Sequence, residues 1–167
     1  MNMLLLLASL AAHAEDNCAV DPSTPLQTIQ TSELPALIAS RRGCVVLMEV
    51  YASWCGTCTR TAPAVSAMAS RLQPEGLVLI GVSVDSSPGK LLAWREHFGA
   101  EYPPIIVEGW TLDGLTAQLA EMEVAFHEAI PLFVLFDQQG HAVLQLTEPD
   151  DLVAIEARAK SLLSGPQ

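Results

Sequence analysis

Cys55 and Cys58 stand three apart in the stretch Trp54-Cys55-Gly56-Thr57-Cys58, between an apolar run, Val45 to Tyr51, and a helical pattern. A strand that ends in Cys-x-x-Cys and opens a helix puts the first sulfur at a helix N-terminus. Unpaired backbone N–H groups and the positive end of the helix dipole stabilise a thiolate there. The chemistry this allows is thiol–disulfide exchange. Cys55, expected to be the more exposed sulfur, attacks a partner's disulfide. Cys58, one turn further in, attacks the mixed disulfide and releases the product. The bland alternatives are a structural disulfide or half of a zinc site. Zinc needs two more ligands. His97, His127 and His141 are scattered, and Cys18 and Cys44 do not make a second Cys-x-x-Cys. No metal and no cofactor are therefore expected, although two thiolates could hold copper.

Glu49 lies six residues before Cys55 on the same apolar run. Side chains alternate along a strand, so it could point beneath the active-site helix. Burial there raises a carboxyl group's pKa. Such a group could accept the Cys58 proton as the mixed disulfide resolves. The alternative is a strand-end glutamate that reaches solvent.

Cys44 opens the same run, 11 positions before Cys55. A strand rises about 3.3 Å per residue, so Cys44 lies at the far end and cannot pair with Cys55 or Cys58. Cys18 and Cys44 either form a structural disulfide that staples an N-terminal arm, or remain a mobile and a buried free thiol.

The positioning elements are legible in order. Leu26 to Ile29 suits a short edge strand. Ser32 is a candidate cap for a helix of about three turns carrying Leu34, Leu37 and Ile38 up to Arg42-Gly43. The apolar runs Val45 to Tyr51 and Leu77 to Val84 fit strands buried on both faces. A helix runs from the cysteines to about Leu72, with Pro63 inside it, and Ser87-Pro88 opens another that Gly99 ends. Tyr102 to Val107 is extended. Leu112, Leu115, Leu119, Met122 and Phe126 then recur at helical spacing. Leu132 to Phe136 is a third apolar strand. Asp137-Gln138-Gln139-Gly140 turns it into a partner, His141 to Leu146, with alternating Ala142, Leu144 and Leu146. Thr147 to Asp150 opens a last helix. Alternating strands and helices imply parallel strands joined by right-handed crossovers, closed by an antiparallel hairpin. The fold class is α/β: a central mixed sheet with helices on both faces.

The 167 residues suit one domain, and at 50% hydrophobic they are not those of a disordered chain. A net charge of −11 argues against nucleic acid and against an anionic membrane surface. Leu4 to Ala12 has the length of a signal-peptide core, and Ala12-His13-Ala14 is an A-x-A site; Met1-Asn2-Met3, however, lacks a basic residue. The reading is a signal peptide over 1–14, an extended arm over 15–25 and one domain over 26–164. Cleavage near Ala14 would leave the protein periplasmic or secreted, where disulfides persist. Glu15-Asp16-Asn17 before Cys18 argues against a lipid anchor.

These residues resemble the thioredoxin superfamily, and within it the exported TlpA-like thiol:disulfide oxidoreductases, which include cytochrome c maturation reductases. The most specific stretch is Val50 to Cys58. Pro63 matches the family's kink proline, Ile130-Pro131 its cis-proline, and Asp137 to Gly140 the turn that follows. Val82 to Asp85 and Phe98 to Pro103 resemble the branch's central segment. The resemblance implies a cis bond before Pro131 and a free Ile130 backbone that pairs with an extended substrate, with Trp54 as an apolar docking surface. Gly56 and Thr57, the latter standing where thioredoxin has proline, are the redox-tuning positions. Glu49 departs from the Asp or Asn common at that position.

The function expected is an exported disulfide reductase acting as a monomer on protein disulfides and thiols, supplied by a membrane or periplasmic electron donor. The alternatives are an oxidase or isomerase on the same fold, and a copper-handling or chaperone-like binding module.

Overall fold

A computed structural model of the chain describes residues 18–19, 21, 23–98, 103–147 and 152–165. The apolar stretch 1–14 with its A-x-A site, Gly99, and the segment 148–150 expected to open the last helix all lie outside the described residues.

Among the described residues, six strands form one mixed sheet: β1 (Gln27–Ile29), β2 (Val45–Tyr51), β3 (Leu77–Ser83), β4 (Pro104–Val107), β5 (Leu132–Phe136) and β6 (Ala142–Leu146). Their spatial order is β1-β4-β3-β2-β5-β6. The pairs β1–β4, β4–β3 and β3–β2 are parallel, whereas β2–β5 and β5–β6 are antiparallel. Every residue of β2, β3, β4 and β5 is buried. This is why their sequences are apolar runs rather than alternating patterns. β2 lies between β3 and β5, so the strand that carries Glu49 and leads to Cys55 is one of the most enclosed in the sheet.

Among the described residues, five α-helices cover the sheet: α1 (Leu34–Ala39), α2 (Gly56–Leu72), α3 (Pro88–Phe98), α4 (Leu112–Glu121) and α5 (Leu152–Leu163). Two groupings separate them, since α2 touches α3 and α5 while α1 touches α4. α2 buries Cys58, Ala62, Val65, Met68 and Leu72 as one stripe, and leaves Pro63 exposed. Arg71 of α2 is bonded to Glu156 of α5 at 2.9 Å.

Three elements differ from the sequence-based expectation. The first helix is shorter than three turns. A 3₁₀ turn over Thr31–Glu33 precedes α1, and it is capped by Gln30 and Glu33 rather than by Ser32. Gly43 ends the segment at φ 95°.

The helix carrying Leu112 stops at Glu121, so Met122 and Phe126 lie beyond it. Glu123 takes the left-handed conformation at φ 61°. The Val124 N–H then reaches the Leu119 carbonyl, and the Glu123 N–H reaches Ala120. This pair of bonds is a Schellman closure, and Val124, buried, supplies its hydrophobic contact.

β6 is half-buried throughout rather than alternating. It is an edge strand, and the register shifts between Leu135 and Phe136 where it pairs with β5.

At the opposite end of β2 from the active-site turn, Cys44 is joined to Cys18 by a disulfide with a Cα–Cα distance of 5.6 Å. Both residues are buried. The bond ties the N-terminal arm to the start of the central strand.

Candidate active site

The chain leaves β2 at Tyr51 and reverses within four residues. The Cys55 N–H donates to the Ala52 carbonyl at 3.1 Å and closes the turn. Cys55 is then extended, at φ −80° and ψ 109°, and occupies the N-cap of α2. Its Sγ accepts the Cys58 N–H at 3.1 Å. A sulfur thus takes the place an oxygen holds in an ordinary cap. No acidic residue lies in the first turn of α2 to oppose negative charge there.

Cys55 and Cys58 form a disulfide with a Cα–Cα distance of 5.2 Å. Cys58 is 0% exposed and Cys55 is 8% exposed, the order expected for an attacking and a resolving sulfur. Trp54, next to Cys55, is 66% exposed, an unusual position for so large an apolar ring. Gly56 is exposed, and the Thr57 hydroxyl accepts from the Arg60 guanidinium at 3.0 Å.

The loop before β5 meets this turn. The Ile130–Pro131 peptide is cis, and the Ile130 carbonyl oxygen lies 3.7 Å from Cys55 Sγ. Two stretches 75 residues apart in sequence thus face each other across the sulfur.

Glu49 is 0% exposed, so it does not reach solvent at a strand end. It pairs with Gly81 of β3 on one side and Phe133 of β5 on the other. Alternation along β2 puts it on the same face as Tyr51. The Tyr51 ring meets Trp94 of α3, with centroids 5.2 Å apart, so this is the face that α2 and α3 cover. Burial, and next the charge of Glu49, push the Tyr51 phenol above its ordinary range, so it stays protonated at physiological pH.

The turn and helix are further tied from α3 and β3. Trp94 Nε1 donates to the Thr59 hydroxyl at 2.9 Å, and that hydroxyl donates to the Cys55 carbonyl at 3.1 Å. The Trp110 indole donates to the Val84 carbonyl at 2.9 Å, which places this ring half-buried at the end of β3. Asp85, just past β3, is 3% exposed and bonded to Ser53 and Ser83.

Sequence reasoning passed over Asp85, Ser53, Thr59 and Trp94 as site residues. The available signal was Ser83 and Asp85 at the end of an apolar run, because buried polar groups require partners.

The sequence matches the AhpC/TSA family over residues 16–143, which spans β1 to the start of β6. The chain belongs to the AhpC/TSA family. The expectation of a thioredoxin-superfamily protein is met, and the family together with its Cys55–Cys58 dithiol makes it a thiol:disulfide oxidoreductase. No curated protein matches the sequence.

Among solved structures this AhpC/TSA member is similar to a thiol:disulfide interchange protein DsbE from Chlorobium tepidum. The two share 24% identity over 77% of this chain and 84% of that one, with a TM-score of 0.62. It is also similar to a thiol-disulfide isomerase from Corynebacterium glutamicum, at 20% identity over 75% and 84% of the two chains and a TM-score of 0.63. A secreted Mycobacterium tuberculosis disulfide oxidoreductase homologous to Escherichia coli DsbE matches at 17% identity over 72% and 85%, with a TM-score of 0.54. These likenesses carry the fold: one mixed sheet of parallel and antiparallel strands packed with helices.

Proposed function

We propose that this protein is an exported disulfide reductase that acts on other proteins through Cys55 and Cys58. The observation that carries the reading is the setting of Cys55. Its sulfur takes an N–H at the start of a 17-residue helix, beside an exposed indole, while its partner sulfur is wholly buried. A thiolate is favoured at the sulfur a substrate can reach, and the resolving sulfur is withheld until a mixed disulfide forms.

In the reaction, the Cys55 thiolate attacks one sulfur of a substrate disulfide. The other substrate sulfur leaves as a thiolate. Cys58 loses its proton, with Glu49 as acceptor, and attacks Cys55 Sγ. The second substrate thiol is released, and the Cys55–Cys58 disulfide remains with the two electrons transferred. Ile130 and Pro131 line the path of the substrate chain, Trp54 gives it an apolar surface, and Gly56 and Thr57 tune the potential.

The direction of electron flow is supported by charge. Asp85 is buried and bonded two residues ahead of Cys55, whereas the nearest cation bonded to the motif, Arg60, is exposed. Buried charge is screened less than exposed charge, so Asp85 offsets part of the stabilisation that the helix end gives the Cys55 thiolate, which supports a dithiol that is the better donor.

Export is supported by the Leu4 to Ala12 stretch, by a second disulfide, Cys18–Cys44, and by likeness to a secreted oxidoreductase. A membrane or periplasmic dithiol donor would then restore the reduced state.

Reduction of insulin disulfides with dithiothreitol as donor tests the activity. The intact protein accelerates precipitation of the insulin B chain and Cys55→Ala does not. Tight Cu(I) capture by the reduced protein, with no acceleration of insulin reduction, would reverse the reading in favour of a copper-binding module.

A further inference from the structure

Asp85 is a buried carboxylate that the exchange steps above do not use. It sits just past β3, 32 positions from Ser53. One oxygen accepts the Ser53 backbone N–H at 2.8 Å and the Ser83 hydroxyl at 2.7 Å. The other accepts the Ser53 hydroxyl at 2.6 Å. The Ser83 hydroxyl accepts the Asp85 N–H at 3.0 Å, which orients it toward the carboxylate. All three groups that face the carboxyl oxygens are donors, an arrangement that suits an ionised acceptor.

Ser53 is the middle of the reversal between β2 and α2. The turn has one backbone bond of its own, from Cys55 to Ala52, and β2 extends its pairing with β3 through the Val84 N–H and the Tyr51 carbonyl. Asp85 grips the residue between these two bonds at both its backbone and its side chain. The position of Cys55 relative to the Cys58 N–H follows from where Ser53 is held. While the disulfide is closed, the covalent bond fixes Cys55. Once it opens, the fixing is left to hydrogen bonds, and the Asp85–Ser53 pair anchors the turn to the sheet.

We infer that Asp85 is a positioning residue: it clamps Ser53 so that the reduced Cys55 sulfur stays at the N-cap of α2. The inference rests on Cys55 being the exchanging thiol, and its test reads Cys55 without any exchange partner.

The test is the rate of iodoacetamide alkylation of Cys55 against pH, measured on reduced, folded protein by mass spectrometry. Asp85→Asn and Asp85→Ala both remove the charge, but only asparagine keeps an oxygen for the Ser53 N–H. Their difference therefore isolates the clamp from the charge. Asp85 borders a cavity of about 280 Å³ with Ser86, Pro88 and Trp110, so water can enter the space an alanine leaves.

The expected result is that Asp85→Ala alkylates about three- to tenfold more slowly than Asp85→Asn at pH 7, with its profile moved to higher pH. Superimposed profiles for the two variants would overturn the inference and leave Asp85 as a charge alone. Ser53→Ala against the unaltered protein gives a second comparison in which both keep the charge, should Asp85→Ala not fold. A loss of about two- to threefold in rate is expected from the missing hydroxyl bond. An unchanged profile there would equally overturn the clamp. A role confined to fold stability would lower the melting temperature and leave every profile in place.

Discussion

Cys55 Sγ lies 3.7 Å from the carbonyl oxygen of Ile130, a residue 75 positions away that enters through the loop before β5. On the proposed function, a substrate that reaches this sulfur passes along the Ile130 backbone, with Trp54 exposed beside it. Cys58, with no exposure, is reached only from inside the protein. The proposal therefore assigns the two sulfurs a fixed order. Cys58→Ser is expected to accumulate a mixed disulfide between Cys55 and a cysteine-containing unfolded peptide, whereas Cys55→Ser accumulates none. Non-reducing gels with mass spectrometry of the linked peptide read the result. Trapping through Cys58 in the Cys55→Ser protein would show the order to be wrong.

Glu49 is fully buried on the face of β2 that carries Tyr51 and that α2 and α3 cover. In the proposed mechanism a carboxylate there takes the Cys58 proton, and glutamine of the same shape cannot. Glu49→Gln is expected to slow release of the mixed disulfide about 10- to 100-fold while leaving the first attack by Cys55 within about twofold. Rapid-quench kinetics separate the two steps. Equal release rates across pH for the two proteins would remove Glu49 from the mechanism.

The Cys18–Cys44 bond closes a loop with a sequence separation of 26, and lies at the other end of β2 from the dithiol. In the chain-entropy picture a loop of this length contributes about 3.5 kcal/mol. Replacing both residues by alanine is expected to lower unfolding free energy by about 2–4 kcal/mol in urea titrations and to leave insulin reduction unchanged. A stability within error of the intact protein would mean that the pair is not bonded in solution.

Glu123 is held at φ 61° in the closure of α4. A side chain there costs about 1 kcal/mol, and glycine removes that cost while adding some backbone entropy to the unfolded chain. Glu123→Gly is expected to stabilise the fold by up to about 1 kcal/mol, read as a higher urea midpoint at an unchanged slope. A lower midpoint would contradict the assignment of this residue as the left-handed cap.

The same residue explains one limit of reading this sequence. The spacing from Leu112 to Phe126 is helical, and nothing in composition marks a stop at Glu121, because the left-handed position holds glutamate rather than glycine. The closing bonds are backbone bonds, invisible in residue types. By contrast, β2 and β3 were legible because burial on both faces forces uninterrupted apolar runs, and the Cys55–Cys58 spacing states its own chemistry. Asp85 and Ser53 were not legible as a pair. Their bond depends on β2 and β3 lying side by side in register, which brings together residues 32 apart. Ser32 misled for a simpler reason: Gln30 and Glu33 satisfy the same entry to the helix two residues earlier.

The central claim is that Cys55 and Cys58 give electrons to other proteins, and their reduction potential tests it most directly. Equilibration in glutathione or dithiothreitol buffers, followed by mass spectrometric counting of free Cys55, gives the value. A reductant is expected, with a potential near the thioredoxin value of about −270 mV. A value near about −120 mV, where a disulfide is a strong oxidant, would contradict the account and reverse the direction of electron flow.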